Sequence, residues 1–226
     1  MTGVWALILA STGMASGEDV SAILSGTYTN EEQVYFEKDA GKTPPPWLSL
    51  NLVEEDDQLW LRETDAYGQE GKKATPVSFS GNGDKAVLKV GHCTRNFDKD
   101  GTGWKYSKRQ NRMACRQEFQ ITRISAEGLS LRFADGRESN LKRARPVQCW
   151  AAVPKLEKKE DGSIDWHFAR QLNMHDQGGR VRVGGGDTGA DEVILRMRAV
   201  HWPPPSTNRP SMVLYVHKPD NPDRAV

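Results

Sequence analysis

The 226-residue sequence predicts a mostly β protein: an antiparallel meander closed into a barrel or sandwich, with one short N-terminal helix and a β-rich C-terminal extension. Three observations carry this. Apolar residues alternate with polar ones over several short runs. Gly/Asp/Asn turns separate those runs at short intervals. Only one segment has helix-start chemistry, and a proline triplet stops it soon afterwards.

That helix is expected within Ser21–Lys38. Thr29 is positioned to cap it, with Glu32 three residues on to complete a capping box, and Glu31 and Glu32 suit the positive first turn. Gly41 and Pro44-Pro45-Pro46 end it. Strands follow. In Trp47–Val53, Leu48, Leu50 and Leu52 share one face; in Gln58–Thr64, Leu59 and Leu61 do. Val77–Phe79 and Ala86–Val90 flank the hairpin turn Gly81-Asn82-Gly83-Asp84. Asp98–Gly101 is a further turn. Glu118–Ser125 and Leu129–Phe133 form another pair, and Asp135-Gly136 starts one more hairpin. The barrel domain is expected over 21–151, a polar linker over 152–162, and the extension over 163–226. In the extension, Trp166 and Phe168 favour a strand over Ile164–Met174, Gly178-Gly179 reads as a turn, and Glu192–Val200 and Met212–His217 are strand-like.

At the N-terminus, the apolar run Val4–Ala10 precedes Ser11, Thr12, Gly13, Ala15 and Ser16, the pattern of a signal peptide over 1–16, although no Lys or Arg precedes the run. A buried N-terminal strand is the alternative. Export implies a periplasmic or secreted protein in which two of Cys93, Cys115 and Cys149 pair. Beyond this segment no apolar run approaches the ~18 residues of a membrane-spanning helix. Net charge is +1, unevenly spread: Gly17–Asp84 holds 14 acids and 5 bases, Lys85–Arg145 holds 15 bases and 6 acids. The acidic first third and the basic middle third should attract each other, leaving a basic face for an anionic ligand. Lys105, Lys108, Arg109, Arg112 and Arg116 lie among Trp104 and Tyr106, but export disfavours a nucleic-acid partner and favours carboxylates or anionic glycans. Asp98-x-Asp100 lacks the glycine and glutamate of a calcium loop, and His167 and His175 beside Asp165 and Asp176 are a generic set. No hydrolase, zinc-protease or phosphate-loop motif occurs.

The block Gly26-Thr27-Tyr28-Thr29-Asn30-Glu31-Glu32-Gln33 resembles the opening G-x-[FY]-x-N-x-x-Q of the CpcT/CpeT (T-type) phycobiliprotein chromophore lyases. Gly91-His92-Cys93, Cys115, Gly128-Leu129-Ser130, Asp135-Gly136-Arg137 and Gln148-Cys149-Trp150 are similar to later parts of that family, so the resemblance spans Leu24–Ala151. It implies a calycin-like barrel holding a small amphipathic or anionic ligand, in the lyases a linear tetrapyrrole passed to an acceptor protein. On that basis Tyr28, Asn30, Gln33, Tyr35, Arg95, Tyr106 and Arg112 are the candidate ligand-binding residues. Asn30 and Gln33 have a second reading, as amides that only anchor the helix to the barrel. Cys93 and Cys115 flank a long turn and form a disulfide if their strands pair; Cys115–Cys149 pairing or a free thiol are the other arrangements. No resident cofactor or metal is expected. The leading function is an exported binding or carrier barrel without catalysis. A true chromophore lyase and a structural envelope protein are the alternatives, and the tail strands leave room for a homodimer.

Overall fold

A four-residue strand closes the barrel. In the computed structural model, which describes residues 23–107, 117–202 and 204–225, β1 (Gly26–Thr29) pairs with β2 (Ser49–Glu55) on one side and with β10 (Glu138–Arg143) on the other. Between them the chain runs as an antiparallel meander: β3 (Gln58–Thr64), β4 (Glu70–Asn82), β5 (Lys85–Val90), β6 (Cys93–Asp100), β7 (Gly103–Tyr106), β8 (Phe119–Ile124) and β9 (Gly128–Phe133). The result is a closed ten-stranded antiparallel barrel. Closure leaves no sheet edge to template foreign strands. The predicted alternation fills the interior: Leu50 and Leu52, Leu59 and Leu61, Ala86 and Leu88, and Leu129 and Leu131 all point inward and are buried. The turn Gly81–Asp84 joins β4 to β5 as expected, with Gly83 at φ +59°.

The helix α1 (Glu31–Asp39) follows β1 directly, but the capping box does not form. Asn30, not Thr29, occupies the N-cap position and its side chain makes no capping bond, while Thr29 Oγ1 accepts only from Glu31 N at 3.3 Å. Asn30 spends its amide on other segments, and Glu32 instead pairs with Lys142 of β10 at 2.6 Å.

Beyond the barrel, β11 (Pro146–Lys158) and β12 (Ile164–His175) form a long two-stranded ribbon. Residues 152–158 continue β11, and 159–163 turn the chain into β12, so the expected linker is the end of a hairpin. A four-stranded sheet follows: β13 (Gln177–Val183), β14 (Val193–Val200), β15 (Ser211–Lys218) and β16 (Asn221–Ala225). β14 and β15 match the predicted strands. Gly178-Gly179 does not form a turn; it lies inside β13. A Cβ at Gly178 (φ +88°) would sit 2.5 Å from Cγ of Glu31. The glycine is there because the helix comes this close. Glu31 in turn pairs with Arg196 of β14 and accepts from Trp47 Nε1 at 2.6 Å. The guanidinium of Arg198 lies 4.2 Å from the centre of the Tyr35 ring. One sheet face is thus tied to the barrel through α1. The other packs Val183 and Leu195 against Cys149, Ala151, Val153 and Met174 of the ribbon. The expected signal peptide (1–16) lies outside the described residues.

Gly178→Ala should destabilise the protein by roughly 1–3 kcal/mol, because backbone strain and the Glu31 contact act together. Urea unfolding monitored by circular dichroism measures this; an unchanged midpoint would mean the helix can move off the sheet freely.

Candidate functional site

Inward-facing positions near one end of the barrel are not all apolar. Cys93, Arg95 and Phe97 share the inner parity of β6, so strand geometry carries a guanidinium into the barrel. On β4 the same parity brings Gly71, Lys73 and Thr75 inward at this end, and on β3 it brings Glu63. These residues, with Leu61, Leu88, Val90, Gln117, Phe119 and Ile121, line a cavity of about 630 Å³. Its volume lies within the ~300–1,000 Å³ of small-molecule sites. The opposite half of the barrel is closed by an aromatic layer. Phe79 meets Phe97 and Trp104 edge-on at 6.3 and 5.8 Å, and Tyr106 meets Phe97 at 6.3 Å. Lys99, the next inner-parity position of β6 after Phe97, lies over Trp104 at the barrel end, its Nζ 4.6 Å from a ring centroid.

Arg95 sits between cavity and aromatic layer. It is only 8% exposed, and its Cζ lies 5.6 Å from the Tyr106 ring centre. The ring face gives the cation partial compensation. Nη2 nevertheless has no hydrogen-bond partner among the described residues. A buried donor left unmade costs about 1–3 kcal/mol, more when charged, so this nitrogen is held ready at the expense of stability. A larger hollow of about 870 Å³ lies near the other end, lined by Gly81, Asn82, Lys85, Asn96 and Asp98. There Lys85 and Asp98 already pair with each other, so no charge awaits a ligand.

The other sequence-predicted residues are placed differently. Asn30 is 1% exposed and saturated: Nδ2 donates to Pro46 O (2.7 Å) and Ser139 Oγ (2.8 Å), and Oδ1 accepts from Leu48 N (2.8 Å). Gln33 donates to Glu37 Oε1 (2.8 Å) and Glu138 O (3.3 Å) and accepts from Asn140 N (2.8 Å). Both amides anchor α1 to the barrel wall. Tyr28 is buried in the core, with its hydroxyl 3.1 Å from the carbonyls of both Ile23 and Leu24. Burial raises its pKa, which keeps the phenol neutral. Tyr35 lies under Arg198, on the side of α1 facing the extension. Arg95 and Tyr106 are therefore the pair that the barrel brings together. Arg112 and Cys115 lie outside the described residues; Cys93 is buried beside the cavity and Cys149 is a free thiol. Sequence reasoning missed Lys73, Thr75 and Gln117. Extending the parity of β4 outward from Val77 would have found the first two.

At the junction with the extension, Asp176 is buried and accepts from Arg145 N (2.8 Å) and Arg145 Nε (2.6 Å). Its neighbour His175 has its pKa lowered by burial, with the Asp176 charge acting in the opposite sense. No group of His, Cys, Asp and Glu suited to a metal ion is present among the described residues.

Arg95→Leu should leave stability unchanged or raise it by about 1–3 kcal/mol, since an apolar side chain replaces an unsatisfied cation. Asn30→Ala should lower it by about 2–4 kcal/mol, because three bonds are lost together, two of them to the buried Leu48 and Ser139. Urea titrations of the two variants against wild type test the contrast; a large loss in Arg95→Leu would refute an unmet guanidinium. For His175 the sign follows from the lowered pKa. The unfolded chain binds the proton more readily, so the contribution is full above an unfolded pKa of about 6.5 and is lost as pH falls below it. The urea midpoint should drop between about pH 7 and pH 5, with a shallower drop in His175→Gln.

No family model matches the chain, and no curated protein or solved structure matches it either.

Proposed function

We propose that the protein is a calycin-like binding protein that holds a small amphipathic carboxylate inside its barrel. The observation that carries this is the buried Nη2 of Arg95, unpartnered among the described residues and facing a cavity with largely apolar walls. The ligand's carboxylate would take the guanidinium, for which a charge-assisted, two-pronged hydrogen bond is the natural partner. Its apolar body would lie along Leu61, Leu88, Phe119 and Ile121. Thr75 and Gln117 add neutral polar groups, and Lys73 and Glu63 flank the opening as a mixed-charge rim. A linear tetrapyrrole, with two propionates on a flat apolar body, is the member of this class that the T-type lyase resemblance suggests. Export and a Cys93–Cys115 disulfide belong to the same reading, and the free state of Cys149 supports that choice of pair. Binding without bond-making accounts for the cavity, so no lyase step is invoked.

Titration with a linear tetrapyrrole diacid, followed by tryptophan quenching, should give saturable binding; Trp104 lies in the aromatic layer that also holds Tyr106, the ring beside Arg95. The dimethyl ester should bind at least about tenfold more weakly, a difference of roughly 1.4 kcal/mol. Arg95→Leu should bind the diacid as weakly as wild type binds the ester. Equal affinity for acid and ester in the wild type would remove the carboxylate assignment.

A further inference from the structure

The ribbon β11–β12 has two faces with different environments. Its inner face meets the four-stranded sheet. Strand alternation then sends Trp150, Leu156, Ile164, Trp166 and Phe168 the other way, where they are 69, 70, 52, 42 and 53% exposed. Cross-strand register unites them: Ala152 faces Phe168 and Pro154 faces Trp166, and Trp150 lies 6.5 Å from Phe168 between ring centres. Together these five side chains expose on the order of 700 Å², above the ~300–600 Å² of the largest apolar patch on a typical monomer and close to the ~800 Å² that one partner contributes to a standard interface.

The charge pattern chooses the occupant. Outward positions from Trp150 to Leu156 and from Ile164 to Phe168 carry no charge, and Arg170, beside Trp150 and Phe168, bounds this stretch at the end away from the hairpin tip. Lys155 and Asp165 have the opposite parity and pair with each other at 2.7 Å. A neutral face can meet its own copy without like-charge repulsion. A bilayer is a poorer match, because the ribbon ends in Glu157, Lys158, Lys159, Glu160 and Asp161, whose charges resist entry into hydrocarbon. We propose that two copies of the chain associate through this ribbon face as a symmetric dimer, each ribbon covering the other. The contact is independent of the barrel cavity.

Sedimentation equilibrium of the full chain from micromolar to submillimolar concentration should approach twice the 25.2 kDa chain mass. Trp150→Asp and Phe168→Asp should each weaken self-association at least about a hundredfold while keeping near-ultraviolet circular dichroism unchanged. A readout free of variants is acrylamide quenching of wild-type tryptophan, which should fall as concentration rises and Trp150 and Trp166 are covered. A monomer throughout the range overturns the proposal. So does a dimer that both folded Asp variants leave intact, or a monomer that instead binds uncharged phosphatidylcholine vesicles.

Discussion

A barrel exists only if its first and last strands meet, and here the joint is made by four residues. β1 donates and accepts on both sides, to β2 and to β10, at a place where each neighbour would otherwise be an open edge. So short a strand cannot fix its own position by ladder hydrogen bonds alone. Asn30 supplies what is missing. Its amide joins three segments at the end of β1: the entry to β2 through Pro46 and Leu48, the wall at Ser139, and the helix start at its own backbone. Because Leu48 and Ser139 are buried, these bonds are costly to break, and the seam and the helix start are held by one side chain. Glu31, one residue further on, then presents its carboxylate to Trp47 and Arg196, so the extension takes its position from the same joint.

With closure fixed, the inner surface becomes a choice between stability and reception. Most inward positions follow the stable solution, and the aromatic layer of Phe79, Phe97, Trp104 and Tyr106 fills its half of the barrel. Arg95 departs from it. A side chain with five donors is placed where water is scarce, above a ring that offsets part of its charge, with one nitrogen left unmet. Departures of this kind from an otherwise consistent pattern mark functional sites more often than accidents. The contrast with Lys85 and Asp98 sharpens the point, since those two charges satisfy each other and bring no specificity to the larger hollow beside them.

Much of the barrel was legible because period-two alternation is local. β3, β5, β8 and β9 each carry it within six or seven residues. β1 was not legible: four residues are too few to show a period, and the chain beside them has strong helix-start chemistry. The capping box failed for a related reason. Thr29 and Glu32 have the right spacing, but Lys142, 110 residues away, claims Glu32, and tertiary partners claim the Asn30 amide. Gly178 reads as a turn until Glu31 is seen beside it. The residues of 152–162 read as a linker because both the outer ribbon face and its charged tip meet solvent, which blurs the buried half of the pattern. Arg95 was found through a family resemblance, and parity with Cys93 and Phe97 gives it a physical basis. That its nitrogen is unmet depends on which strands face it, and no local pattern encodes that.

The extension follows the same physics with a different outcome. Its four-stranded sheet has two faces and two neighbours. The helix takes one face through charge, with Arg196 and Arg198 set against Glu31 and Tyr35. The ribbon takes part of the other through apolar contact. The register that matches Leu195 with Val216, Met197 with Leu214 and Ala199 with Met212 shows that the apolar face continues onto β15, where those three residues stay 38, 53 and 52% exposed. A two-stranded ribbon is too narrow to cover a four-stranded sheet, and covering it exposes the ribbon's own outer face. Each layer added to bury apolar surface therefore leaves another. A single chain can end such a series only with a polar face, and the ribbon's outer face, with two tryptophans, a phenylalanine, a leucine and an isoleucine, is not one. Closure removed the free edges of the barrel within one chain; for the extension, the proposed dimer would end the series by covering one apolar face with a second copy of itself.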